Sequence, residues 1–571
     1  MTTRRDFLQM LAVAANSGML FRPAFGLSRL PGDPYDLPDF GNATILHITD
    51  CHGQLLPTYY REPDMNVGVG SAQGNIPHIS GQNFLDRFRL LRGTPEAYAF
   101  THLEFPELAE RYGKTGGFAH LAWLVKKIRT ERGMDNCLLL DGGDSWQGSA
   151  TALWTKGKDM VGASNLLGVD AMTGHWEFTY GEDTFKKNLK HFNGEFIAQN
   201  IRPTEEALFA GIDLHDEEYG HVFKPYILRE IGNRRIAVIG QAFPYTPIAN
   251  PQRFIPNWRF GIQELELQQL VRRIRTLHRP DAVILLSHNG MDVDLKLGSR
   301  VTGIDLILGG HTHDAIPQPV LVNNSDGRTI VTNGGCNGKF LAVCDLDIGK
   351  GRIQDFRYRL LPVFSQLLEE DNTMSAYINN IRAPYRAQLD KKLAVTEGLL
   401  YRRGNFDGTF DRLICNALRA VLGAEIAFSP GFRWGTTLLP GQLVTLGAVM
   451  SQTAITYPET YLRHLSGLEI KNILEDVADN IFNSNPYYQQ GGDMVRVSGL
   501  SYRCEPRQSI GNRISNLRLS KGVVIEKSKK YTVAGWGAVN TSATGSPVWQ
   551  VISEYLLKVG RVQPIQLNSP A

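Results

Sequence analysis

Residues 138–149 read Leu-Leu-Leu-Asp-Gly-Gly-Asp-Ser-Trp-Gln-Gly-Ser. A short apolar run that ends in a glycine turn reads as a buried strand, and here the turn carries Asp144. From about residue 43 to 348 the chain repeats this theme: a β-branched run, a polar and often glycine-rich turn, then a helical stretch. The runs are 43–50, 137–144, 196–200, 235–241, 282–288, 304–311 and 329–333. Strands alternating with helices predict an α/β domain. Nearly every residue of metal-binding type falls at the end of a run, where the strand fixes the backbone and the following loop stays accessible.

Three of these turns carry chemistry. Asp50-Cys51-His52 offers one carboxylate and one imidazole to a common ion, although the same spacing also suits a solvated turn. Asp141-Gly-Gly-Asp144 sets an acid among glycines that let the backbone come close to an ion. Gly309-Gly-His311-Thr-His313 is sharper, because two histidines two apart at a strand end can face one side and reach different members of a metal pair.

Beyond residue 360 the pattern changes. Residues 365–391 are polar, with apolar residues at helical spacing and one proline, Pro384, and predict a linking helix. The stretch 395–560 predicts a second, α+β domain, with helices over 409–422 and 469–482 and strands over 495–503, 514–519 and 531–535. Residues 56–115 lack periodicity and read as a long functional or mobile insertion.

With 571 residues, 42% hydrophobic and 20% charged, the chain is too long for one core and predicts two domains. Sixty basic against 57 acidic residues leave no nucleic-acid footprint. The six cysteines contain no CxxC pair, so neither a zinc ribbon nor a disulfide framework is expected, although one pair could be oxidised. At the N-terminus Arg4-Arg5 precede Phe7-Leu8 and a weakly apolar stretch, which resembles a twin-arginine signal over residues 1–26. That stretch is shorter than the roughly 20 residues of a spanning helix, so a periplasmic, monomeric protein without membrane insertion is expected.

Seven blocks stand in one order: HITDCHGQL (47–55), LLLDGGDSWQGS (138–149), GHWEFTYG (174–181), AQNI (198–201), LLSHNGMDVD (285–294), GGHTHDAIP (309–317) and GGCNGKFLA (334–342). Together they resemble the calcineurin-like metallophosphoesterases, in the branch of the periplasmic 5′-nucleotidases. The resemblance implies a four-layer αββα domain over about 40–360, a linking helix over 361–394 and a nucleotidase-type substrate domain over 395–560. It also implies that Asp50, His52 and His313 hold one ion, that His175, His288 and His311 hold a second, and that Asp144 bridges both. Carboxylate and imidazole donors without thiolate suit Mn²⁺, with Zn²⁺ or Fe as alternatives. Such a pair activates a water and clamps the oxygens of a tetrahedral centre.

One departure bears on the substrate. Nucleotidases carry G-N-H-E-F-D-Y-G, in which Asn is a ligand and the next His assists catalysis; here the frame reads Gly174-His175-Trp176-Glu177-Phe178-Thr179-Tyr180-Gly181. Histidine still binds a metal, but an indole cannot protonate a leaving group. This frame, the DCHGQL block and the signal look like the thiosulfohydrolase family of the periplasmic sulfur-oxidation (Sox) system. Its members release sulfate from a cysteine S-thiosulfonate on a carrier protein of the SoxYZ type. Sulfur leaves more readily than an alkoxide, so a missing acid matters less. The catalytic expectation is therefore Asp144, His175, Trp176 and Arg433. Arg433 stands in Ser429-Pro-Gly-Phe-Arg433-Trp434-Gly435, a degraded form of a family pattern whose Arg contacts the anionic substrate, and a surface salt bridge is its alternative. Trp434 and Trp536 lie near the family's base-stacking segments but read as packing, and Cys51 and Cys336 as buried thiols. The alternatives are a 5′-nucleotidase or 2′,3′-cyclic phosphodiesterase, and a non-catalytic scaffold.

Overall fold

The computed structural model describes residues 34–539, 543–567 and 569–570. The expected signal, 1–26, lies outside the described residues. Among those described, no helix is long and apolar enough to cross a membrane.

The N-terminal domain holds two six-stranded sheets. The first runs in the order Arg352–Pro362, Phe340–Gly349, Ala43–Ile48, Cys137–Asp141, Ala171–Met172 and Glu195–Phe196. Ala43–Ile48 pairs in parallel with Cys137–Asp141, Leu46 opposite Leu139. The second runs Val320–Asn324, Gly327–Asn333, Leu306–Gly309, Ala282–Ser287, Arg234–Gln241 and Tyr226–Ile231, with Ile307 opposite Leu285 in a parallel pair. Every residue of Ala43–Ile48, Cys137–Asp141, Ala282–Ser287 and Leu306–Gly309 is buried. That is why these strands read as continuous apolar runs: both faces are covered. One core joins the two sheets and their helices. The helix Glu264–Leu277 contributes Leu267, Leu270, Val271 and Ile274, the i, i+3, i+4, i+7 stripe of a helix with one buried face.

Several expectations need correction. The 56–115 segment is not a structureless loop: it contains the helices Gly81–Phe88, Pro95–Phe100 and Phe105–Tyr112, and Phe84, Tyr98 and Phe105 pack into the main core. Three helices of six to eight residues, each with its own glycine, proline or threonine boundary, are too short to show a period. The run 196–200 is strand only at Glu195–Phe196. Phe340–Gly349 and Arg352–Pro362 form an unforeseen hairpin, turned by Lys350 (φ 53°) and Gly351 (φ 72°), the left-handed pair a two-residue hairpin uses. The linking segment is broken at Pro384 into the helix Asn372–Arg382, a 3-10 turn Ala383–Tyr385 and the helix Arg386–Leu389.

The C-terminal domain centres on a sheet ordered Thr460–Ser466, Lys530–Trp536, Ile426–Gly431 and Asp493–Ser498. Its two faces are sorted by alternation. Ala427 faces the helices Thr409–Leu422 and Val548–Val559, and Ile426 and Phe428 face the helix Gly467–Phe482. The strand expected over 495–503 is two, Asp493–Ser498 and Leu500–Cys504, because Gly499 takes φ 80° with the Glu425 carbonyl oxygen 2.0 Å from where a Cβ would stand.

Candidate metal centre

The C-terminal ends of parallel strands from both sheets meet at one place, and the loops leaving them carry the polar groups. Asp50 and His52 follow Ala43–Ile48, Asp144 follows Cys137–Asp141, and His175 follows Ala171–Met172. From the other sheet His288 follows Ala282–Ser287, and His311 and His313 follow Leu306–Gly309. Five of these seven take left-handed backbone angles: Asp50 (φ 52°), His52 (46°), Asp144 (57°), His311 (71°) and His313 (59°). Non-glycine residues seldom adopt that region, and clustered cases mark sites where surrounding structure over-determines the backbone.

The donor atoms fall into two groups, Asp50, His52 and His313, and Asp144, His175, His288 and His311. In the first, His52 Nε2 lies 3.0 Å from His313 Nε2, which is 3.1 Å from Asp50 Oδ1. Two ring nitrogens so placed either share a proton or turn their lone pairs on a common cation. In the second, Asp144 Oδ2 lies 3.2 Å from His175 Nδ1 and 3.1 Å from His288 Nε2. Asp144 also approaches His52, at 3.8 Å, so it borders both groups.

Neighbouring groups hold this arrangement. The His288 ring donates from Nδ1 to the Gly142 carbonyl at 2.6 Å, which turns its Nε2 to the carboxylates. Asp50 N–H donates to Gly143 O and His52 N–H to Asp144 O, both at 2.8 Å, tying the first two loops together. Gly310 sits where a Cβ would meet Thr49 Oγ1 at 2.3 Å and Asp50 Oδ2 at 2.9 Å. This glycine therefore admits the neighbouring loop that carries Thr49 and Asp50. Two groups were missed. Glu177 accepts N–H bonds from Asp144 (3.2 Å), Ser145 (2.7 Å), Trp146 (3.2 Å) and His175 (2.9 Å), stapling two loops with one carboxylate. Phe243, just after Arg234–Gln241, stacks on His311 at 4.0 Å. The GHWEFTYG block contained a signal for Glu177, an acid flanked by aromatics; Phe243 had none.

The electrostatics match a cation site. Burial opposes ionisation of Asp50 and Asp144, but His313 and His288 beside the one, and His175 and His288 beside the other, outweigh it and hold both below the usual carboxylate range. Burial lowers His52 to about 4 and depresses His175 and His311, so these rings are neutral with lone pairs to give. His288 is the exception: burial would lower it, yet Asp144 and Asp50 push it up to about 10. Two buried carboxylates demand positive charge here. His175 Nε2 and His311 Nδ1 are buried without a hydrogen-bond partner, as atoms that coordinate a cation would be. The donor set fits a pair of divalent ions.

A cavity of about 370 Å³ opens over the centre, between the domains. Trp176, 5% exposed, forms part of its wall: its backbone N–H donates to Asp144 Oδ1 at 2.6 Å, and its ring meets Trp434 edge-on at 5.0 Å. Trp434 in turn stacks on His52 at 5.0 Å and on Phe432 at 4.1 Å. The Trp536 indole N–H donates to Ser429 Oγ at 2.8 Å. Arg433 reaches the cavity, but its guanidinium donates to Asp493 Oδ1 (3.2 Å), Thr312 O (3.0 Å) and Gly492 O (2.8 Å), an ion pair that is part-buried rather than on the surface. Cys51 and Cys336 are buried, with burial pushing both thiols up, and no disulfide joins the described cysteines.

Residues 392–552 match the family model of the 5′-nucleotidase C-terminal domain. The whole chain is similar to the solved sulfate thiohydrolase SoxB of Thermus thermophilus, with 37% identity and a TM-score of 0.87 over 94% of this chain and 97% of that one. It also resembles in fold a 5′-nucleotidase precursor from the same species, with 20% identity and a TM-score of 0.71 over 92% of this chain and 98% of that one. The snake venom 5′-nucleotidase of Gloydius brevicauda is 24% identical over 512 residues, 79% of this chain and 82% of the relative. The chain belongs to the 5′-nucleotidase superfamily, a metallophosphoesterase domain followed by a nucleotidase C-terminal domain. Its relatives are hydrolases.

Proposed function

We propose that this protein is a periplasmic thiosulfohydrolase that releases sulfate from a cysteine S-thiosulfonate on a carrier protein of the SoxYZ type. Asp50, His52 and His313 would hold one ion and His175, His288 and His311 the other, with Asp144 bordering both groups. Two Mn²⁺ ions bound there would supply an activated water and a clamp for anionic oxygens. The protein's share is orientation: Glu177 fixes the Asp144 and His175 loops, and the Gly142 carbonyl fixes the His288 tautomer. In the reaction the water oxygen bonds to the terminal sulfonate sulfur and the S–S bond to it breaks. The electron pair leaves on the carrier-side sulfur as a persulfide anion, and the water's protons pass to solvent.

The observation that carries this reading is Trp176. Where the family resemblance puts a proton-donating histidine, an indole packs against Trp434 and Phe432. General acid assistance is typically worth about 10²–10⁴-fold, a loss that weighs on an alkoxide leaving group and little on a sulfur one. Full-length similarity to SoxB supports the same choice. The 5′-nucleotidase reading has the names of several relatives in its favour, but Trp434 and Trp536, the aromatics near the family's base-stacking segments, are both buried in the C-terminal core. The test is to load the protein with Mn²⁺ and follow sulfate release from a carrier cysteine S-thiosulfonate beside phosphate release from AMP. Fast sulfate release with negligible AMP turnover is expected; efficient AMP hydrolysis with the thiosulfonate untouched overturns the proposal.

A further inference from the structure

The segment from Asn485 to Asp493 belongs to the C-terminal domain yet lies across the loops of the other. Lys296 Nζ donates to Asn485 Oδ1 at 2.6 Å, Tyr487 OH donates to Glu264 Oε2 at 2.5 Å, and Tyr245 OH donates to the Tyr487 carbonyl. At its far end Arg433, gripped by Asp493 and the Gly492 carbonyl, donates to the carbonyl of Thr312, the residue between His311 and His313. Between these anchors the Gln490 carbonyl oxygen lies 3.1 Å from His311 Nε2. A carbonyl can only accept, so Nε2 carries the proton and Nδ1, buried and without a hydrogen-bond partner, keeps the lone pair. Gly491 allows the approach: at φ 72° it sits where a Cβ would stand 2.3 Å from His311 Nε2.

We infer that this strap positions His311, so that the second metal subsite is completed by the C-terminal domain. The inference rests on the assignment of the seven residues as ligands. Gln490 and Gly491 do for His311 what the Gly142 carbonyl does for His288: they choose the tautomer and the ring orientation. Arg433 then acts as a positioning residue for the His311–His313 loop. This explains why all three of its guanidinium nitrogens donate to protein atoms.

The experiment is Mn²⁺ titration of the whole protein, read by calorimetry and by electron paramagnetic resonance, which separates a coupled ion pair from an isolated ion. Wild type is expected to bind two ions per chain with a coupled spectrum; failure to do so overturns the ligand assignment itself. Gly491→Ala should weaken the second ion on the order of 10–100-fold and leave an isolated-ion spectrum, with the first ion retained. Gly492→Ala supplies the control for backbone strain, since it is equally left-handed (φ 78°) but a Cβ there meets only Gly431 O, at 3.7 Å. It should lose much less. Thermal unfolding of each variant identifies any that fail to fold, and Arg433→Lys, which keeps the charge but not the fork, then reads the same effect from the Thr312 side. Wild-type affinity for both ions in Gly491→Ala, or equal losses in the two glycine variants, overturns the strap's role.

Discussion

Asp144 borders both halves of the centre, and its carboxylate is engaged from every side: His175 and His288 at Oδ2, His52 beyond, and the Trp176 backbone N–H at Oδ1. Asp144→Asn removes the charge that serves both subsites while keeping the shape. Bound metal should fall below two per chain and turnover should vanish with it; two ions per chain with wild-type turnover would remove Asp144 from the bridging position. At this scale the residue types were legible, because an acid or imidazole after an apolar run is visible in any sequence. What held them was not. The left-handed angles at five of the seven, the four N–H bonds of Glu177 and the stacking of Phe243 on His311 depend on loops that meet only after folding.

Among the elements, the strand Asp493–Ser498 carries an ionic network into the C-terminal core. Asp493 lies 3.2 Å from Arg433 and 3.0 Å from Arg496, with Arg403 at 3.9 Å. Burial opposes its charge, but Arg433, Arg496 and Arg403 prevail, and its pKa falls below the ordinary carboxylate value. A depressed acid contributes stability that is fully present above the unfolded pKa, about 3.9, and is lost as pH falls through the folded value. Asp493→Asn should therefore lower the melting temperature most at pH 5 to 7, by an amount corresponding to about 3–5 kcal/mol for breaking a buried pair. The gap to wild type should narrow below pH 4. A gap independent of pH would show that the ionised carboxylate is not the stabilising form. Elements with a clear period were readable here, Thr409–Leu422 and Ile514–Leu519 among them, since a helical stripe or an apolar alternation survives in isolation. Two-residue strands such as Ala171–Met172 and the short helices of 56–115 hold too few residues to show a period, and only their packing defines them.

Over the whole molecule, two sheets deliver seven side chains to one point, and a second domain closes the cavity above it and reaches down to His311. The two-domain plan followed from length and from the change of pattern after residue 360. The contacts across the domains did not, because Gln490 and His311 are 179 residues apart and neither bears a mark of the other. The proposed chemistry and the role of the strap both require that these seven residues form a two-metal centre. Anomalous diffraction from crystals loaded with Mn²⁺ would locate the ions. Two peaks about 3.5–4 Å apart are expected, one among Asp50, His52, His313 and Asp144, the other among Asp144, His175, His288 and His311. A single peak, or a pair lying away from these side chains, would contradict it.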